Sequence, residues 1–103
     1  MAKIPARKKK LIAECRFQVD SLDIQLLNLL NRRAELAREL AEVKHRVGMA
    51  VSDREREQDL LGRLLAANPG PLDSGALLRI FRRIIFESRR LQEREVEDRD
   101  SWI

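Results

Sequence analysis

The chain has 103 residues, a formal net charge of +4, 37% charged side chains and only 4% aromatic ones. That is one domain's worth at most, and the charge-rich, aromatic-poor mix suits long helices better than a sheet. No apolar run approaches the roughly 18 residues of a membrane span, no signal-peptide core opens the chain, and the lone Cys15 with His45 makes neither a disulfide framework nor a zinc cluster. A cytoplasmic location with no metal and no membrane partner is the default.

Residues 1–10, MAKIPARKKK, hold five basic side chains and read as a flexible, solvated leader. Nucleic-acid recognition would need interleaved aromatics or a known binding motif beside them, so no nucleic-acid partner is expected. Residues 11–94 form the expected domain. The first helix should begin between Lys10 and Ala13 and end at about Arg46, because the stretch from Val19 to Val47 lacks Gly and Pro and is rich in Leu, Ala, Glu and Arg. Leu22, Leu29, Leu36 and Val43 recur every seven residues. So do Val19, Leu26, Leu40 and Val47, with Arg33 in the remaining slot of that series. Two such series make a seam that packs on other helices. A guanidinium inside it requires an anionic partner.

A helix of roughly 35 residues is about 50 Å long. A compact domain of this size is roughly 26 Å across, given a radius of gyration of about 13 Å. Two shorter helices of the same chain cannot cover such a seam. The expected fold is therefore all-α, three helices per chain with a very long first helix, in an intertwined homodimeric bundle. A monomeric three-helix bundle is the bland alternative.

Gly48 should end the first helix. Ser52 and Glu55 have the spacing of a capping box ahead of a second helix over Asp53–Ala67, striped by Leu60, Leu61, Leu64 and Leu65. Asn68-Pro69-Gly70-Pro71 breaks it. Asp73 or Ser74 caps a third helix running to about Arg94, with Leu77, Leu78, Phe81, Ile84, Ile85 and Leu91 inward. Residues 95–103 read as a charged, fraying tail, and nothing says where Trp102 docks.

The informative residues are polar ones on apolar stripes. Arg33 and Lys44 are eleven apart, hence about 20° around a helix and about 16 Å along it. They could grip two ends of one small dianion, or both point to solvent. Asp53 and Glu57 lie one turn apart. They could be ordinary first-turn acids favoured by the helix dipole. Ser88 and Gln92, four apart on the apolar side of the third helix, need partners when buried; an inter-helix hydrogen bond would serve. Arg16 lies about 100° and about 25 Å from Arg33 on the same helix. It could share a pocket with Arg33 only if a second chain supplied it.

From Arg16 to Gln92 the chain resembles the all-helical class of chorismate mutases. The resemblance is carried by LDIQLLNLLNRRAELA, the EVK ending in Lys44, VSDRERE and IIFESRRLQ. It implies rearrangement of chorismate to prephenate in aromatic amino acid biosynthesis, without cofactor. It also implies roles for residues. Arg33 and Arg16 of the partner subunit would bind the substrate carboxylates. Lys44 would contact a carboxylate and the ether oxygen. Asp53 and Glu57 would hold the ring hydroxyl, Ser88 would assist a carboxylate, and Gln92 would donate to the ether oxygen. Arg56 would stand behind them. The implied catalytic set is Lys44, Gln92, Arg33 and Glu57. Relatives that act on 4-amino-4-deoxychorismate or eliminate pyruvate from isochorismate share this pocket, and a non-catalytic helical interaction module is the alternative outside enzymes. A partner enzyme of the same pathway is left open.

Overall fold

The computed structural model describes residues 3–100, and the side-chain surroundings of residues 3–98. Three helices make it up: α1 (Ala6–Arg46), α2 (Arg54–Ala67) and α3 (Ser74–Asp100). Among the described residues there is no strand. None of these helices is long and apolar enough to cross a membrane. The chain divides into two compact units, one up to Arg33 and one from Ala34 onward.

In the first unit α1 begins at Ala6, several residues ahead of the expected start. Residues 6–10 of the expected leader are thus helical. Pro5 disfavours helix only before itself, and its carbonyl accepts from the N–H groups of Lys8 (3.0 Å) and Lys9 (3.1 Å). The Ala, Arg and Lys that follow are among the best helix formers. Along this unit the apolar seam is open: Leu22 is 60% and Leu29 is 67% exposed, and Val19 and Leu26 are exposed with them.

The second unit holds the last turns of α1, all of α2 and all of α3. Gly48 adopts φ +73°, a left-handed conformation that costs any residue with a Cβ. There the Met49 N–H bonds the Lys44 carbonyl (2.8 Å) and the Gly48 N–H bonds that of His45 (3.2 Å). These two bonds are the paired closure of a Schellman motif. The cap of α2 is Asp53, one residue later than the Ser52 capping box predicts: its carboxylate accepts from the Arg56 N–H at 3.1 Å. Asp53 does the work because a carboxylate is a strong acceptor beside the positive end of a helix. Asp73 caps α3 in the same way, accepting from the Ala76 N–H at 2.7 Å. Between them, Asn68 bonds the Gly70 N–H (3.0 Å) and the Leu72 carbonyl (2.7 Å), which turns the chain around.

α2 packs on α3. Ala41 of α1 and Leu77 and Ile85 of α3 are the buried apolar residues, with Leu60, Leu61, Leu64, Leu65, Leu78, Phe81, Ile84 and Leu91 half-buried around them. Leu36, Leu40 and Val43, on the α1 seam, are exposed. α3 continues to Asp100, past the Arg94 at which the charged composition suggested fraying. Glu95 is tied to Arg38 by two contacts of 3.2 Å, which gives the extension a foothold. Trp102 lies outside the described residues.

Gly48→Ala meets no neighbour within 4 Å, so its whole cost is backbone strain. We expect a loss of about 1–2 kcal/mol, read as a lower urea midpoint with an unchanged slope.

Candidate active site

The candidate residues of the second unit are joined by a closed circuit of polar contacts. It starts at Lys44, half-buried two residues before the end of α1, whose Nζ donates to the Val51 carbonyl at 3.2 Å. That bond ties the end of α1 to the loop entering α2. Two residues on, Asp53 spends its carboxylate on the α2 cap and is itself exposed. One turn into α2, Glu57 is half-buried and meets Arg89 of α3. A single guanidinium nitrogen, Nη2, donates to both carboxylate oxygens, at 2.5 and 2.7 Å.

Three residues further along α3, Gln92 closes the circuit. Its Nε2 donates to the Ala37 carbonyl of α1 at 3.0 Å. Ala37 precedes Lys44 by seven residues, which is two turns, about 10 Å along α1 and nearly the same face. The Gln92 amide is thereby bonded to α1 two turns before Lys44, on nearly the same face. The amide nitrogen of Gln92 carries two protons. The Ala37 bond engages one and fixes which end of the amide is the donor; the other stays available to an acceptor. Ser88, one turn before Gln92 on α3, is half-buried on the same side. Arg56 contributes its backbone to the α2 cap, and its side chain is exposed.

In the first unit, Arg33 is half-buried. Arg16 is exposed on a shallow hollow with Leu11, Cys15 and Val19. Among the described residues no group of three or more His, Cys, Asp or Glu side chains has the arrangement of a metal site.

Sequence reasoning missed Arg89. It was given no role there, although Ile85, Arg89, Gln92 and Val96 follow helical spacing and Ile85 is buried. That spacing was the available signal.

The circuit places donors on an apolar stripe, an arrangement suited to holding an anion rather than to moving protons. The profile of chorismate mutase type II matches residues 15–93. The chain belongs to this family. A chorismate mutase of Methanocaldococcus jannaschii is 30% identical over 88 residues, covering 84% of this chain and 89% of that protein. A chorismate mutase structure (form II) from Thermus thermophilus is 32% identical with a TM-score of 0.79, covering 81% of this chain and 94% of that one. The crystal structure of a chorismate mutase from Helicobacter pylori in complex with prephenate also superposes with a TM-score of 0.79, at 28% identity, over 85% of this chain and 96% of that one. Other family relatives are longer. A bifunctional chorismate mutase/prephenate dehydratase of Aquifex aeolicus is 33% identical over 78 residues, 72% of this chain but 22% of that protein. The chain thus spans about a fifth of such bifunctional relatives.

Proposed function

We propose that the chain catalyses the rearrangement of chorismate to prephenate. The observation that carries this reading is the polar circuit, in which the Lys44 ammonium is tied to the Val51 carbonyl and the Gln92 amide to α1 two turns before Lys44, in a chain of this family. The reaction is unimolecular and pericyclic. It requires an extended dianion to be held in a compact chair-like conformer, and fixed cations do that. Arg33 and Arg16 of the partner subunit take the two carboxylates, with Ser88 assisting one of them. Asp53 and Glu57 receive the ring hydroxyl.

Bond breaking between carbon and oxygen runs ahead of carbon–carbon bond making, so negative charge grows on the ether oxygen. Lys44 and the second proton of Gln92 meet that charge. They bind it more strongly in the transition state than in the ground state, which is the condition for raising kcat. Both donors already have backbone acceptors in the chain, so they are oriented before substrate arrives.

The working unit in this reading is an intertwined homodimer. Exposed apolar residues on α1 support it, Leu22 and Leu29 in the first unit and Leu36 and Val43 in the second, since clustered exposed apolar side chains mark an interface. The prephenate dehydratase activity named for the fused relatives suggests that an enzyme consuming prephenate is the natural pathway partner.

Following the loss of chorismate's diene absorbance with purified protein tests the activity directly; no turnover at micromolar enzyme would overturn it. Lys44→Met is expected to cut kcat by about 10²–10³. Wild-type turnover should persist from neutral to mildly alkaline pH, because an amide donates without being protonated. Gln92→Glu must be in its acid form to donate, so its turnover should fall by about tenfold per pH unit once the carboxyl ionises. A flat profile for Gln92→Glu would argue against donation from this position. Mixing inactive Arg16→Ala and Arg33→Ala proteins under conditions of subunit exchange should restore part of the activity; no recovery would exclude sites shared between chains.

A further inference from the structure

Arg89 has no role in the reading above, yet it makes the shortest contacts to Glu57. Both side chains are sheltered, 33% exposed for Arg89 and 26% for Glu57. They line a cleft of about 390 Å³ together with Arg54, Arg82, Leu61 and Phe86. One carboxylate therefore shares this cleft with three guanidinium groups. The Nε of Arg89 is buried with no hydrogen-bond partner among the described residues. A pair kept purely for stability would satisfy that donor, since a buried donor left unpaired is destabilising.

The chemistry of the pair bears on what Glu57 can accept. An ionised carboxylate has about four lone-pair sites, so two bonds from Arg89 leave each oxygen able to accept a further proton donor. A neutral hydroxyl asks only for that acceptor. A ring ammonium asks in addition for uncompensated negative charge, and the guanidinium of Arg89 cancels it at the closest possible range. We propose that Arg89 is a positioning residue that acts through Glu57: it holds the carboxylate for a hydroxyl-bearing substrate and removes the net charge that would favour an amine in the same place. The assignment deepens the mutase reading and rests on it. It separates chorismate from 4-amino-4-deoxychorismate, two substrates that differ at the group Glu57 would meet.

The test is the ratio of kcat/KM for chorismate to that for 4-amino-4-deoxychorismate, in wild type and in Arg89→Met, Arg89→Gln and Arg89→Lys, each repeated with Glu57→Gln. Wild type should favour chorismate. Arg89→Met and Arg89→Gln should each shift the ratio about tenfold toward the amine, the order of effect of one nearby charge in a largely solvent-screened cleft. Arg89→Lys, which keeps the charge, should stay near wild type. With Glu57→Gln present, either neutral substitution should move the ratio less than about twofold, because coupled residues lose their joint effect when one is removed. A merely structural role would lower both substrates together and leave the ratio alone; that result, or a shift that survives Glu57→Gln, overturns the proposal. Wild-type protein inactive on both substrates overturns the mutase reading and this assignment with it. An active wild type with an unmoved ratio overturns the role of Arg89 alone.

Discussion

A polar side chain set among apolar ones has to be given a partner, and this requirement organises the second unit of the chain. Lys44, Glu57 and Gln92 each sit half-buried, and each is answered: by the Val51 carbonyl, by Arg89 and by the Ala37 carbonyl. None of these partners is a neighbour along the same helical turn. The bonds therefore join elements: α1 to the loop before α2, α2 to α3, and α3 back to α1. Such bonds contribute about 0.5–1.5 kcal/mol each to stability, or about 1.5–3 where a charged group takes part, and they also fix geometry. They fix which residues of α2, α3 and the last turns of α1 meet.

The apolar side of the structure is thin by comparison. Ala41, Leu77 and Ile85 are the buried apolar residues among those described, while much of the α1 seam is open. Stability of a domain this small comes mainly from buried apolar area. In the proposed dimer a second α1 seam would cover the first and bury apolar area that one chain leaves open. A guanidinium in that seam then has a physical sense. In that dimer Arg33 would weaken an otherwise apolar contact, a cost that a charge serving the proposed site would explain.

Much of this was legible in the sequence, and the misses are instructive. The heptad spacing of Leu22, Leu29, Leu36 and Val43 gave the helical character of α1, and Gly48 gave its end. Both depend on local rules: side-chain period and the freedom of glycine at positive φ. The helix starts at Ala6 rather than between Lys10 and Ala13, because the run of basic side chains reads as solvated while Ala, Arg and Lys after Pro5 favour helix. The end of α3 was misread because charge was taken as a sign of fraying, whereas Arg38 reaches Glu95 from fifty-seven residues away. Arg89 was missed for a related reason. A run of two arginines looks solvated on paper, and only the packing of α2 on α3 reveals that one of them faces Glu57. Long-range charge pairs leave little local trace, so spacing could flag Arg89 as inward but could not name its partner.

The residue types in the candidate site also say what kind of catalysis it is fitted for. Enzymes that shuttle protons rely on side chains whose charge can change near neutral pH, and they tune those side chains with burial and neighbours. Here the groups assigned to the substrate are chiefly guanidinium, ammonium and amide. A guanidinium never loses its charge in a protein, and an amide has none to lose. Such groups are poor acids and bases but good fixtures. Their value lies in being in the same state before, during and after the reaction, so no reorganisation is required when charge moves within the substrate. A rearrangement that transfers no proton and forms no bond to the protein needs that permanence more than it needs reactivity. The Arg89–Glu57 pair extends the logic to a half-buried carboxylate assigned to the substrate, whose negative charge is answered within the protein and so is not left for the substrate to neutralise.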